Sequence, residues 1–303
     1  MKGSFTILGS NSALPTSERF SSAHVLEMHG RIFLIDCAEG TQILLRKNKI
    51  SFSAIDNIFI THLHGDHYLG LFGLLSSFNM LGRKKEINIY GPQKLQEIID
   101  FHKKFIENDM VFDIIFHEVD EKSDIIFEDK VVTIKAFPMK HRIPTFGFLF
   151  QEKQKARNVK RDCIAQYDIP VKELRNIKEG ADFVTSSGKI IANSELTHEP
   201  PKPISFAFCS DTKYNEAIIP IIANADLLYH EATFTEEFIE RAKQTFHSTA
   251  KQAATIALKA NVKKLAIGHF SARFKDTVQL EKEAQSIFPE TIAVCDGMKF
   301  IID

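Results

Sequence analysis

Within the stretch Thr61-His62-Leu63-His64-Gly65-Asp66-His67, four metal-capable side chains fall within six residues. Ile58-Phe59-Ile60 precede it and read as a short buried strand, and Tyr68–Leu75 read as the start of an apolar helix. The candidate ligands are therefore expected on a loop that leaves the carboxyl end of a strand, where α/β folds place their sites. Imidazole and carboxylate suit zinc, and manganese or iron nearly as well. His62 and His64, as alternate residues of an extended segment, can point the same way. Asp66 and His67 then turn toward a second position, so the spacing suggests two metals rather than one. Twelve histidines in the chain make isolated ones ordinary. Three in six residues, with an aspartate between them at a strand end, are not.

Later strands repeat the arrangement. Val131–Phe137 leads to His141. Ile204–Cys209 ends in Ser210-Asp211, Ala225–Tyr229 in His230-Glu231, and Lys264–Ile267 in Gly268-His269. If these strands share a direction, their polar ends lie on one rim. Ser248–Leu258 has the period of an amphipathic helix, with His247 at its start beside the capping pair Ser248-Thr249. Further elements are a hairpin of Ala23–Met28 and Arg31–Asp36 around His29-Gly30, a strand at Phe112–Val119 and a helix over Gln93–Ile106. His24, His29, His102 and His117 read as structural, exposed or bystander residues.

From Gln151 to Pro203 the texture changes. The segment is polar, interrupted by Pro170 and Gly180, and opens with Lys153, Lys155, Arg157, Lys160 and Arg161 against Glu152. A structureless loop of this length is unusual inside a compact domain, so a functional excursion is expected, with an interdomain linker as the alternative.

Composition narrows the function. A hydrophobic share of 44% supports a sizeable core, and a net charge of −1 makes any nucleic-acid contact a matter of local basic patches. The four cysteines are far apart without C-x-x-C spacing, which fits a reducing compartment. No apolar run reaches membrane-spanning length. A soluble, cytoplasmic protein with no membrane contact is the expectation.

Taken together, these residues resemble the metallo-β-lactamase superfamily and, within it, the ribonuclease Z family of tRNA 3′ endonucleases. The superfamily signal is His62-Leu63-His64-Gly65-Asp66-His67 followed in order by His141, Asp211 and His269. The narrower signal lies in four stretches: Asp36–Gln42, His230–Phe234, His247-Ser248-Thr249-Ala250 and Gly268–Arg273. The resemblance implies a four-layer αβ/βα sandwich spanning residues 1–303, with an inserted, protruding tRNA-binding arm at 152–203. It implies two zinc ions per chain, with manganese or iron as alternatives. His62, His64 and His141 would hold one, Asp66, His67 and His269 the other, and Asp211 would bridge them. It also implies a homodimer. Two positions depart from the family pattern: the arm tip Ile169–Arg175 has one proline and no glycine, and Ser210 replaces a glycine.

The implied reaction removes the 3′ trailer from precursor tRNA by hydroxide attack, leaving a 3′-hydroxyl on the tRNA and a 5′-phosphate on the trailer. Two metals roughly 3.5–4 Å apart generate that hydroxide and neutralise phosphate charge. Asp66 is the candidate to orient it and accept its proton. His247 is the candidate general acid, oriented by Glu231. His230 is read as a positioning residue. Arg273 is the candidate phosphate clamp, and Lys155, Arg157, Lys160 and Arg161 are candidate tRNA contacts. The competing expectation is another dinuclear hydrolase on the same scaffold, acting on a small phosphodiester, a lactone or a thioester.

Overall fold

The computed structural model describes residues 3–104 and 110–303. They divide into two compact units, residues 1–151 with 204–303, and Glu152–Pro203.

Strands of the larger unit are, in chain order, β1 (Gly3–Gly9), β2 (Ala23–Met28), β3 (Arg31–Cys37), β4 (Ile55–Phe59), β5 (Ile87–Gly91) and β6 (Ile114–Glu118). Then come β7 (Ile125–Glu128), β8 (Val132–Pro138) and β9 (Phe146–Glu152). In the smaller unit follow β10 (Asn158–Val159), β11 (Phe183–Val184), β12 (Ile190–Ile191) and β13 (Thr197–His198). The larger unit resumes with β14 (Ser205–Cys209), β15 (Leu227–Glu231), β16 (Leu265–Gly268), β17 (Thr291–Ala293) and β18 (Lys299–Ile302).

One seven-stranded sheet runs β18-β1-β2-β3-β4-β5-β6, and the other β17-β16-β15-β14-β9-β8-β7. β3 to β6 are parallel, as are β14 to β17. Alternation along each strand feeds two cores. Phe5, Phe33 and Phe59 of the first sheet meet Phe206, Phe150 and Phe148 of the second, with ring centroids 4.5, 5.5 and 5.4 Å apart. Leu8, Leu34 and Ile58 point the other way, into a core shared with Leu44, Leu71, Phe78 and Leu95 of the covering helices. Ala253, Ala254, Ile256 and Ala257 of helix Ala250–Lys259 bury against the second sheet. The result is helix, sheet, sheet, helix: four layers, as expected from the sequence.

Several expected elements shift by one to three residues. The hairpin turn at His29-Gly30 has both residues at positive φ, +49° and +76°, the geometry that fits the strand twist. Helix Ala250–Lys259 starts at a capping box between Thr249 and Gln252. The helix expected over Gln93–Ile106 is described as Lys94–Lys103, and its last two expected residues lie outside the described residues. β7, β9 and helix Val278–Gln285 have no counterpart in the sequence reading. None of the described helices is long and apolar enough to cross a membrane.

The smaller unit has its own core of Ile169, Ile177, Phe183, Ile191 and Leu196. Its chain forms two short two-stranded sheets and short helices rather than one long loop.

Candidate metal centre

Register places the polar strand ends side by side. Cys209 pairs with His230, and Glu231 with Gly268, so Asp211, Glu231 and His269 emerge at one edge. β4 delivers His62 and His64 there on extended chain. Asp66 and His67 follow within the helical turn Gly65–Tyr68 rather than on the loop expected from the sequence. His141 arrives three residues after β8.

Each of four imidazoles gives its Nδ1 proton to a fixed oxygen and aims Nε2 inward. His67 Nδ1 lies 2.7 Å from Asp36 Oδ2, His141 Nδ1 2.9 Å from the Phe246 carbonyl, and His269 Nδ1 3.0 Å from Thr233 Oγ1. His62 Nδ1 lies 3.0 Å from Thr61 Oγ1. Both threonine hydroxyls spend their own protons on carboxylates: Thr61 on Asp36 at 3.0 Å and Thr233 on Glu231 at 2.8 Å. They are left to accept from the imidazoles. Such outer partners set tautomer and ring orientation in metal sites. Asp36, Thr61 and Thr233 thus belong to the functional set, and the sequence reading gave none of them a role in it.

The inward atoms form two groups that share Asp211. His64 Nδ1 is 3.1 Å from His62 Nε2 and 3.2 Å from His141 Nε2. Asp211 Oδ2 is 3.5 Å from the former nitrogen and 3.9 Å from the latter. On the other side, Asp211 Oδ1 is 3.2 Å from His269 Nε2 and 3.6 Å from His67 Nε2. Asp66 Oδ2 is 3.6 Å and 3.4 Å from the same two nitrogens. Ligands 2.0–2.1 Å from a tetrahedral zinc stand roughly 3.3 Å from one another, so these spacings fit the edges of metal-sized polyhedra. His67 Nε2, His269 Nε2 and Asp211 Oδ1 are buried without a hydrogen-bond partner among the described residues. Orphaned atoms converging at such distances are what an ion would satisfy. The residues present fit a dinuclear nitrogen and oxygen site.

Charge divides the ligand set: burial lowers the pKa of His67, but the carboxylates of Asp211, Asp66 and Asp36 outweigh it and raise it well above the usual imidazole range. Burial pushes the imidazoles of His62, His64 and His141 down, which favours the neutral, ligating form. Burial opposes the charge on Asp211, but His269 and His67 outweigh it and hold the carboxylate below its usual range. Asp66 is likewise held down, against burial, by His67 and His269. The Ala13 amide, on a residue at φ +48°, donates to Asp66 Oδ2 at 2.8 Å.

His247 stands beside the cluster. Its Nδ1 is 2.9 Å from Glu231 Oε1 and 4.0 Å from Asp211 Oδ2. Burial lowers its pKa, but the Glu231 carboxylate more than compensates and raises it to about 9. Glu231 is fully buried and also accepts from the amides of Thr212, Thr233 and Ser248. His230 points elsewhere: its Nδ1 bonds the main-chain carbonyl of Glu231 at 2.7 Å. A cavity of about 310 Å³ above the cluster is lined by His64, Asp66, His141, Asp211, His247 and His269, together with Arg142.

Arg273 does not line that cavity. Its guanidinium lies over the rings of Phe234 and Phe238, 5.0 and 4.7 Å from their centroids, and its Nε donates to Ser271. In the smaller unit Lys155 pairs with Glu152, and Arg157 donates to Thr197 and Glu199. Lys160 donates to the Glu195 carbonyl, while Arg161 is exposed.

Comparisons with known proteins bear on this site. A family model described as Anti-Pycsar protein Apyc1 matches residues 3–157. The chain is 46% identical to a ribonuclease Z of Bacteroides fragilis over 293 residues, 96% of each chain. It is 45% identical to a ribonuclease Z of Parabacteroides distasonis over 297 residues, 98% of each. Among solved structures, human tRNase Z, short form, superposes with a TM-score of 0.73 at 29% identity, covering 99% of both chains. The metallo-β-lactamase fold protein YhfI of Bacillus subtilis gives a TM-score of 0.70 at 16% identity, a likeness of fold alone. With the four-layer fold and the His/Asp cluster in place, this full-length similarity means that the chain belongs to the ribonuclease Z family of the metallo-β-lactamase fold.

Proposed function

We propose that this protein is a metal-dependent endoribonuclease that cuts the 3′ trailer from precursor tRNA, leaving a tRNA 3′-hydroxyl and a trailer 5′-phosphate. The observation that carries the reading is Asp211, whose two oxygens face two separate sets of inward-aimed ligand atoms, with the His247–Glu231 pair alongside. His62, His64 and His141 would hold one zinc, Asp66, His67 and His269 the second, and Asp211 would span both; manganese or iron would suit the same donors. Bound there, two metal ions supply Lewis acidity that activates water and neutralises phosphate charge.

The chain's own groups do the rest. Asp66, steadied by the Ala13 amide, accepts a proton from the attacking water. His247, kept charged by Glu231, donates its proton to the ribose 3′-oxygen as the bond to phosphorus breaks. The unit Glu152–Pro203 is read as an arm that holds the tRNA body, in a homodimer working in the cytoplasm.

The test is a trailer-bearing precursor tRNA incubated with purified protein, with both new ends mapped and metal counted. One cut at the trailer junction, two metals per chain and loss of cleavage on chelation are expected. A protein that hydrolyses small phosphodiesters, lactones or thioesters while leaving precursor tRNA intact would overturn the reading.

A further inference from the structure

The cavity above the ligand cluster holds a cation that the mechanism has not used. Arg142 follows the candidate ligand His141 and lines the same cavity as His64, Asp211 and His247. One of its terminal nitrogens donates to the Gln244 carbonyl at 2.7 Å. Its guanidinium lies 5.8 Å from the centroid of the Phe246 ring, and Lys213 Nζ lies 5.1 Å from the same centroid. Phe246 closes helix Ile239–Thr245 in the left-handed region, at φ 61° and ψ 44°. A non-glycine residue held there marks a locally over-determined backbone. Here its carbonyl fixes the His141 tautomer while its ring carries two cations. Arg142 is exposed, and neither it nor Lys213 pairs with a carboxylate among the described residues.

A guanidinium resting on an aromatic ring and tethered by one N–H keeps the rest of its planar fork free. That fork matches phosphate oxygens. The carboxylates nearest the cluster are already committed. Asp211 and Asp66 face imidazoles, and Glu231 accepts from His247 and three amides. Arg142 is thus free to meet an incoming anion rather than a protein carboxylate.

We propose that Arg142 is a substrate-binding residue that donates to a non-bridging oxygen of the scissile phosphate, with Lys213 adding charge from the same Phe246 platform. The assignment rests on reading the cavity as a phosphodiester site. It gives Arg142 the clamp role that the sequence suggested for Arg273.

Two probes test it on the full-length, metal-loaded protein: equilibrium binding of inorganic phosphate, and turnover of bis(4-nitrophenyl) phosphate. Arg142→Ala should bind phosphate about 10–100-fold more weakly, the range for a lost hydrogen bond between charged groups. Its kcat/KM for the diester should fall by a similar factor, with the metal count and melting temperature unchanged. Lys213→Ala should show a smaller loss in both assays. An Arg142→Ala protein that binds phosphate and turns over the diester like the wild type would overturn the assignment. So would one that loses metal, because Arg142 would then act through His141. Both probes are simple phosphate compounds, so they report on Arg142 even if precursor tRNA is not cleaved. A failed tRNA assay with an intact Arg142 effect on phosphate binding counts against the proposed function alone.

Discussion

His67 owes its tautomer to Asp36, and His269 owes its to Thr233. Thr233 in turn donates to Glu231, which also holds His247. One buried carboxylate therefore orients a candidate ligand through a hydroxyl and a candidate proton donor directly. The sign of the His247 shift sets a pH prediction. Its pKa is raised to about 9, so its proton is present at neutral pH and is lost as pH rises through that value. Glu231→Gln removes the anion responsible. Its single-turnover cleavage of precursor tRNA should begin to decline at a lower pH than the wild type's. His247→Ala should lose the limb entirely and drop about 10²–10⁴-fold in rate. Identical alkaline profiles for wild type and Glu231→Gln would remove His247 from the donor role. Residue types and spacing made His62–His67 stand out, because those side chains are neighbours in sequence. Asp36 and Thr233 stand 31 and 36 residues from the imidazoles they fix, and no local pattern connects them. His24, read as structural or exposed, proves fully buried and stacked on Phe5, and burial pushes its pKa down to about 3.

At the level of elements, the ligand turn Gly65–Tyr68 meets helix Leu71–Met80 at Gly70. The Gly70 amide donates to the Cys37 carbonyl at 2.9 Å. A Cβ there would come within 1.8 Å of the Ala38 carbonyl oxygen. That approach seats the turn against the end of β3, where Asp36 bonds His67. Gly70→Ala should push the two apart. Overpacking of this kind typically costs about 1–3 kcal/mol. Melting temperature and metal content should fall together, whereas a destabilised protein with full metal would show that the strain does not reach His67. Most strands were legible because both faces of the central ones are buried and their apolar runs are nearly continuous. β9 was missed: Gly147 directly follows Phe146 at the strand's start and reads as a break. The glycine is instead required, since a Cβ would lie 2.4 Å from the Phe137 ring. β7 escaped because a four-residue edge strand within a charged stretch carries too short an alternation.

For the whole molecule, the unit Glu152–Pro203 separates binding from chemistry in the proposed function, and this can be tested by removing it. Every candidate ligand lies outside it, so a short Gly/Ser replacement should leave turnover of a small phosphodiester near normal. KM for precursor tRNA should rise sharply, and the salt dependence of binding should flatten, because each lost phosphate contact removes roughly 0.7–0.9 from the slope. Loss of small-substrate turnover in a folded deletion protein would make the unit part of the active site. Arg157 and Lys160 are tied into the unit's own structure, which shifts the expected grip toward the exposed Arg161, Lys172, Lys178 and Lys189. The unit's polar character was plain in the sequence, but its core was not. Ile177, Phe183, Ile191 and Leu196 come from separate short elements and Ile169 from a connecting segment, so they leave no period to read. The rim itself was inferred from recurring strand ends, and the parallel registers of β14, β15 and β16 supply the common direction that inference needed. That rim draws its donors from widely spaced parts of the chain, His62 near the start and His269 near the finish. On the ribosome, at roughly 5–20 residues per second, the first histidines wait on the order of 10–40 s for the last. Residues 62–67 alone offer four of the seven candidate ligands, so the complete donor set exists only once His269 has been made, and any ion that needs all seven must be captured after that point.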